Sequence, residues 1–239
     1  MHLAILMTNT DESAFARRHP GDGAKFTDLI HLVRPGWRTT VFPVKDGVFP
    51  EQIDRFDGVL ITGSPASTRS GADWTLRLFD LIRDMAARRQ PLMGVCFGHQ
   101  AIALALGGTV GDNPGGWAHG LLQARMRTRP DWARDLPDVV KLYGSHCEQV
   151  IRPPEDATVL TSSEGCPIAG LAIGDHIYTT QHHPEMDRDF FTDLTHEMAA
   201  ELGPAITARA LASLAEPPAT GAFVESIARF FEGGRPLQA

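Results

Sequence analysis

Cysteine is scarce: only Cys96, Cys147 and Cys166 occur among 239 residues, an odd number at irregular spacing. This excludes a disulfide framework and fits a reducing cytoplasm. No Cys-x-x-Cys pair is present, and His99 and His182 lack carboxylate or cysteine partners at ligand spacing, so no metal site is expected. No apolar run reaches membrane-spanning length. The opening run Met1-His2-Leu3-Ala4-Ile5-Leu6-Met7 turns polar at Thr8-Asn9 without the charged start of an export signal, so a soluble cytoplasmic chain is expected. Positive charge is in deficit: 22 Lys and Arg face 29 Asp and Glu, for a net charge of −7 and a pI near 5.8. With no basic stripe on any predicted helix, a nucleic-acid partner held by its phosphates is excluded. Also missing are a Gly-x-x-x-x-Gly-Lys-Ser/Thr loop and a Ser-Gly-Gly-x-Asp loop, so no nucleotide or other cofactor is expected on this chain. Internal repeats and low-complexity segments are absent too.

What is present is an alternation of strands and helices. Leu3 to Met7, Thr39 to Val44 and Asp57 to Thr62 read as strands, and Pro91 to Val95 as a buried strand. Gly23 to Val33, Asp73 to Arg89 and the stretch from Phe97 to Gly107-Gly108 read as helices. Within Asp73 to Arg89, Trp74, Leu76, Leu78, Phe79, Leu81, Ile82 and Met85 make one broad apolar face, and Gln90-Pro91 ends the helix. Repeated strand-helix units predict an α/β fold with a doubly wound, mostly parallel central sheet. From Gly120 to Thr180 the pattern becomes strand-rich, with candidates at Leu121 to Met126, Val139 to Tyr143, Thr158 to Thr161, Ile168 to Ile173 and His176 to Thr180, which look like hairpins and a returning sheet edge; a smaller antiparallel sheet is expected beside the central one. Leu194 to Leu214 and Phe223 to Phe231 read as helices on either side of a turn-rich linker at Glu216-Pro217-Pro218-Ala219-Thr220-Gly221. The length suits one domain over residues 1–239, with 190–239 as C-terminal helical trimming.

The stretch Gly94-Val95-Cys96-Phe97-Gly98-His99-Gln100 puts a cysteine at the joint between a buried strand and a helix. Glycines two residues before and after it relieve a sharp turn, following the logic of the Gly-x-Ser-x-Gly elbow. A thiol at a helix N-terminus feels the positive end of the dipole, which favours the attacking thiolate. The alternative, a buried structural cysteine, leaves the flanking glycines without a purpose. A base and its orienter stand at Gln181-His182-His183-Pro184-Glu185: His183 can face Cys96 while Glu185 accepts from its other nitrogen. For an oxyanion, the natural donors are the Phe97 N–H and the Ser64 N–H in the turn Thr62-Gly63-Ser64-Pro65, since Pro65 has no N–H and Gly63 is needed for the turn itself. Cys147 reads as structural or incidental.

These motifs, with Ser145-His146-Cys147-Glu148-Gln149-Val150 between them, resemble in order and spacing a class I glutamine amidotransferase domain from about residue 3 to 190. The resemblance implies a flavodoxin-like sheet and a Cys-His-Glu triad of Cys96, His183 and Glu185 that opens the side-chain amide of L-glutamine through a thioester and releases ammonia. It also implies that Gly63 and Gln100 help to hold the substrate and that Ser145 and His146 lie on the segment gripping its amino-acid end. The acceptor of the ammonia then belongs to a synthetase partner subunit. Two departures keep a γ-glutamyl peptide hydrolase open as the alternative. Gly63-Ser64 stands where many members have two glycines, and Gly116-Trp117-Ala118-His119-Gly120 carries no Glu where a Glu-Gly pair often meets glutamine. A non-catalytic binding module keeping the fold is a third reading, which the intact triad argues against. A related cysteine-elbow peptidase or chaperone is a fourth, but its histidine normally adjoins the cysteine.

Overall fold

The structure, a computed structural model, describes residues 1–233. Eleven strands and six α-helices follow one another among these residues. The strands are β1 (His2–Met7), β2 (Arg38–Pro43), β3 (Gly58–Ile61), β4 (Leu92–Val95), β5 (Thr109–Asp112), β6 (Ala118–Met126), β7 (Val139–His146), β8 (Glu148–Arg152), β9 (Ala157–Ser163), β10 (Cys166–Ile173) and β11 (Ile177–Thr180). The helices are α1 (Asp22–His31), α2 (Asp73–Ala87), α3 (Phe97–Ala105), α4 (Arg188–Glu197), α5 (Ala199–Ser213) and α6 (Thr220–Gly233).

Nine strands form one sheet in the order β2-β1-β3-β4-β11-β10-β9-β6-β7, and β5 pairs with β8 in a small antiparallel sheet. From β2 to β11 every pairing is parallel. From β11 to β7 every pairing is antiparallel. The central parallel block, its flanking helices and the small second sheet match the architecture expected. The antiparallel strands continue the main sheet, which curls until Tyr143 of β7 bridges His183 just beyond β11.

Both faces of β1, β3 and β4 are covered, which is why these strands are apolar almost throughout, whereas the edge strand β2 is half-exposed and carries Arg38, Thr39 and Thr40. Leu3 and Ile5 of β1 meet Phe26 and Ile30 of α1 and Phe223, Ile227, Phe230 and Phe231 of α6 on one face. Ala4 and Leu6 meet Leu78, Ile82 and Met85 of α2 and Ile102 of α3 on the other. Arg34 ties the end of α1 to α6 through Glu225 at 3.1 Å and Glu232 at 2.6 Å.

Two local readings need correction. β5 and β8 are strands that the apolar pattern did not mark. The single helix read at Leu194 to Leu214 is two: α4 begins earlier, where Asp187 caps Phe190 N at 2.7 Å, and it ends at Glu197 with Met198 as its C-cap. Inside α5, Gly203 adopts φ 74° before Pro204, which has no N–H to continue the helical ladder. The last residues of the predicted C-terminal trimming, 234–239, lie outside the described residues.

The packing of α6 on the sheet is testable at Gly58. A Cβ there would lie 2.4 Å from Cδ1 of Phe231, a ring with no solvent exposure. Urea unfolding of G58A is expected to show a loss of about 1–3 kcal/mol. G36A, where a Cβ meets nothing within 4 Å, should stay within about 0.5 kcal/mol of the parent.

Candidate active site

The register brings three strand ends together. Ile61 of β3 pairs with Gly94 of β4, and Thr180 of β11 pairs with Val95. The residues that follow are therefore neighbours: the turn from Thr62, the cysteine at 96, and the run from Gln181. This is the carboxyl edge where parallel sheets gather ligands.

Cys96 sits at φ 50° and ψ −101°, and among the described residues only it and Arg89 have positive φ without being glycine. Such a backbone costs about 1–3 kcal/mol and persists only where its surroundings hold it. Here Cys96 N donates to Thr180 O at 2.8 Å, Gln100 N donates to Cys96 O at 3.0 Å, and Gly98 N donates to Thr62 O at 3.2 Å. The flanking glycines are sterically required. A Cβ on Gly98 would lie 2.5 Å from the carbonyl oxygen of Ile61, and one on Gly94 2.7 Å from the backbone of Gly98.

His183 is buried beside Cys96, with Nδ1 2.7 Å from Glu185 Oε1 and the ring in hydrogen-bond contact with the Cys96 side chain. Its own N–H donates to Tyr143 O at 2.8 Å, so β7 fixes the base from the far side. Burial opposes a charge on this imidazole, but the attraction of Glu185 and then of Cys96 outweighs it. The ring is held protonated well above histidine's ordinary range. Gly63 makes room for it: a Cβ there would stand 2.8 Å from His183 Cε1 and 3.6 Å from Cys96 Cβ.

The two predicted oxyanion donors are placed by their neighbours. Cys96 and Gly98 commit their amides to Thr180 and Thr62, which leaves the Phe97 N–H between them as the amide of the elbow that an oxyanion could use. Thr8 Oγ1 donates to the Thr62 and Gly63 carbonyls at 3.0 and 2.9 Å. The Gly63–Ser64 peptide is trans, so the Ser64 N–H points away from Thr8.

The substrate-side residues are partly committed. Gln100 Nε2 donates to Glu148 O at 2.9 Å and to Gln181 Oε1 at 3.2 Å, which occupies both amide hydrogens within the protein. Ser145 Oγ is bonded to His119 Nδ1 at 3.0 Å. His146 differs. Its Nδ1 lies 3.0 Å from Glu148 O, a pure acceptor, so that nitrogen carries the proton. Nε2 is then a buried acceptor without a protein partner. Burial, only partly offset by Glu148, and the neighbouring His183 push this imidazole down to about 4. Of the other thiols, Cys147 is exposed but raised by partial burial and by the charges of Glu148 and Glu201, and Cys166 is pushed up to about 12 by burial, so neither environment favours a thiolate. Sequence reasoning missed Thr8, Tyr143 and Gln181, because each acts through a contact between distant strands.

The chain matches the family model described as glutamine amidotransferase class-I over residues 24–191. It is 31% identical over 167 residues to gamma-glutamyl peptidase 3 of Arabidopsis thaliana, covering 66% of this chain and 67% of that one. It is also 31% identical over 139 residues to a subunit of the glutamine-hydrolyzing GMP synthase of Sulfolobus acidocaldarius, covering 57% of this chain and 71% of that one. Among solved structures, a glutamine amidotransferase from Thermotoga maritima superposes with a TM-score of 0.76 at 18% identity, covering 96% of this chain and 98% of that one. That likeness is one of fold. No helix among the described residues is long and apolar enough to cross a membrane.

Two variants test the geometry. G63A should push the His183 ring off Cys96 and cut the rate of Cys96 alkylation by iodoacetamide at neutral pH about a hundredfold, with a stability loss of about 1–3 kcal/mol from the crowded ring. In E185Q the attraction that raises His183 is gone and burial remains. Its ring titration, followed by NMR, should fall by about 1–3 pH units, and a titration unmoved from the parent would contradict the assigned pairing.

Proposed function

The chain belongs to the class I glutamine amidotransferase family, and from that premise we propose that it hydrolyses γ-glutamyl amide bonds through a thioester on Cys96, with a γ-glutamyl conjugate preferred over free L-glutamine. The observation that carries the reading is the positive-φ cysteine set between the Thr62-Gly63-Ser64 turn and the His183–Glu185 pair on three adjacent strand ends.

In this mechanism the Cys96 thiolate attacks the γ-carbonyl carbon. The oxygen gains the electron pair opposite the Ser64 and Phe97 amides, donors of a kind whose single removal costs roughly 100–1000-fold in turnover. His183, protonated against Glu185, gives its proton to the leaving nitrogen as the carbon–nitrogen bond breaks. Neutral His183 then takes a proton from water, whose oxygen attacks the thioester. Glutamate leaves, and Cys96 is restored as thiolate beside a protonated ring. The free Nε2 acceptor of His146 is complementary to the α-ammonium of a γ-glutamyl group.

Preference for a conjugate is supported by the gamma-glutamyl peptidase among the relatives and by the segment Gly116 to Gly120, which carries no Glu and whose His119 is tied to Ser145 and Thr195. Delivery of ammonia to a separate synthetase is the second reading, supported by the match to a component of GMP synthase.

Steady-state kinetics with a γ-glutamyl dipeptide and with glutamine should give the dipeptide the higher kcat/KM, together with an intact-mass adduct of one glutamyl group that disappears in C96A. A higher kcat/KM for glutamine, or activity retained by C96A, would overturn the respective part of the proposal. H146A should raise KM about 5- to 100-fold with a smaller change in kcat, as expected when a bound charged donor loses its acceptor.

A further inference from the structure

Gln181 is fully buried, and its Nε2 lies 3.5 Å from Cys96 Sγ. Which end of this amide faces the sulfur follows from a chain of forced choices. The Glu148 carbonyl can only accept, so the end of Gln100 that lies 2.9 Å from it is the NH2 group. The second hydrogen of that NH2 runs 3.2 Å to Gln181, so the Gln181 atom there is the oxygen. The remaining end of Gln181, the one at the sulfur, is therefore its NH2. A flipped Gln181 would set an NH2 against the NH2 of Gln100 and a carbonyl oxygen against the thiolate.

We propose that Gln181 is a further functional residue of the site: its side-chain amide, locked by Gln100, donates to Cys96 Sγ and holds the sulfur as an anion in the line of attack. The proposal deepens the reading of Cys96 as the nucleophile and rests on it. His183 supplies the opposite contact, so the sulfur accepts from a protonated ring on one side and from a neutral donor on the other. The two are not redundant. His183 gives up its proton during the reaction, whereas Gln181 keeps its own and donates to the sulfur through both thioester formation and release. Hydrogen bonds to an ion contribute more than those to a neutral group, so this contact favours thiolate over thiol. A second consequence concerns Gln100, which acts on the reacting sulfur through Gln181.

The test is the pH dependence of Cys96 alkylation by iodoacetamide, resolved by peptide mass spectrometry so that Cys147 serves as an internal reference. In Q181M, which matches Gln in size but has no donor, the midpoint for Cys96 should rise by about one pH unit. In Q181E, which adds a negative charge at the sulfur, it should rise further. The Cys147 profile should stay unchanged in both. Equal midpoints in the parent and the two folded variants would overturn the role of Gln181 while leaving Cys96 as nucleophile. A parent enzyme in which Cys96 shows no alkylation at any pH, while Cys147 reacts, would overturn both the inference and the mechanism beneath it. Should Q181M not fold, Q181E decides the question: it keeps the shape of Gln181 but puts a carboxylate oxygen in place of the donor, and a Cys96 midpoint equal to the parent's would overturn the role of Gln181.

Discussion

The site depends on one close approach of bare backbone. Gly98, in the first turn of α3, lies so near the end of β3 that a single added carbon would stand 2.5 Å from the Ile61 carbonyl oxygen. Because the helix can descend that far, Gly98 N reaches Thr62 O, and the turn beginning at Thr62 is bound to the elbow rather than merely near it. Gly63 then repeats the device one residue on. Its missing Cβ leaves the space that the His183 ring occupies. Two absent methyl groups thus set nucleophile, oxyanion turn and base within contact of one another. The positive φ of Cys96 is what the chain adopts to pass from β4 into a helix seated so low.

Electrostatic selection follows from burial. Six histidines, His99, His119, His146, His176, His182 and His183, are buried. Burial is the leading cause that pushes the first five down, to about 3 for His99 and His182 and about 4 for His119 and His146; His176 is lowered although Asp175, 69% exposed, lies 3.6 Å from its ring. Only His183 has a buried carboxylate against its ring, Glu185 at 2.7 Å, and it alone of the six is raised. A low-dielectric surround penalises every charge alike, so a single well-placed carboxylate is enough to choose which imidazole carries the proton. The neutral neighbours then serve as hydrogen-bonding groups: His99 joins Thr179 of β11 at 2.7 Å to Ile168 of β10 at 3.2 Å.

The parallel block, the elbow and the His183–Glu185 pair are legible in the sequence because each is written in consecutive residues. An apolar run bounded by turn formers, a Gly-x-Cys-x-Gly spacing and a His-Pro-Glu run need no knowledge of what lies across the sheet. β5 and β8 are not legible. Thr109–Asp112 and Glu148–Arg152 alternate burial weakly, and they become strands by pairing with each other across about forty residues. The break between α4 and α5 is hidden because Leu194, Leu202, Leu211 and Leu214 keep a helical rhythm through a joint that only the backbone at Met198 and Gly203 reveals. Gln181 stands in the same short run as His183 and Glu185, but its contact with Cys96 depends on the register of β4 against β11, which no local pattern encodes.

Glu148 shows how the mouth of the site and its chemistry share one residue. Its carboxylate accepts from Ser67 Oγ at 2.8 Å and Arg69 at 2.7 Å, on the segment that follows the oxyanion turn. Its carbonyl accepts from Gln100 and His146. The outer contacts are partly solvated, with Arg69 41% exposed, and exposed pairs of this kind contribute at most about 1 kcal/mol. The inner ones are buried, and leaving either donor unmet costs about 1–3 kcal/mol. That difference gives an order of yielding. The Ser67–Arg69 segment can part from Glu148 at little cost, while the backbone of β8 keeps Gln100, and through it Gln181, in place against the sulfur. Access to a nucleophile only 5% exposed and rigidity around that nucleophile are therefore compatible, because the side chain of Glu148 serves the first and its backbone the second.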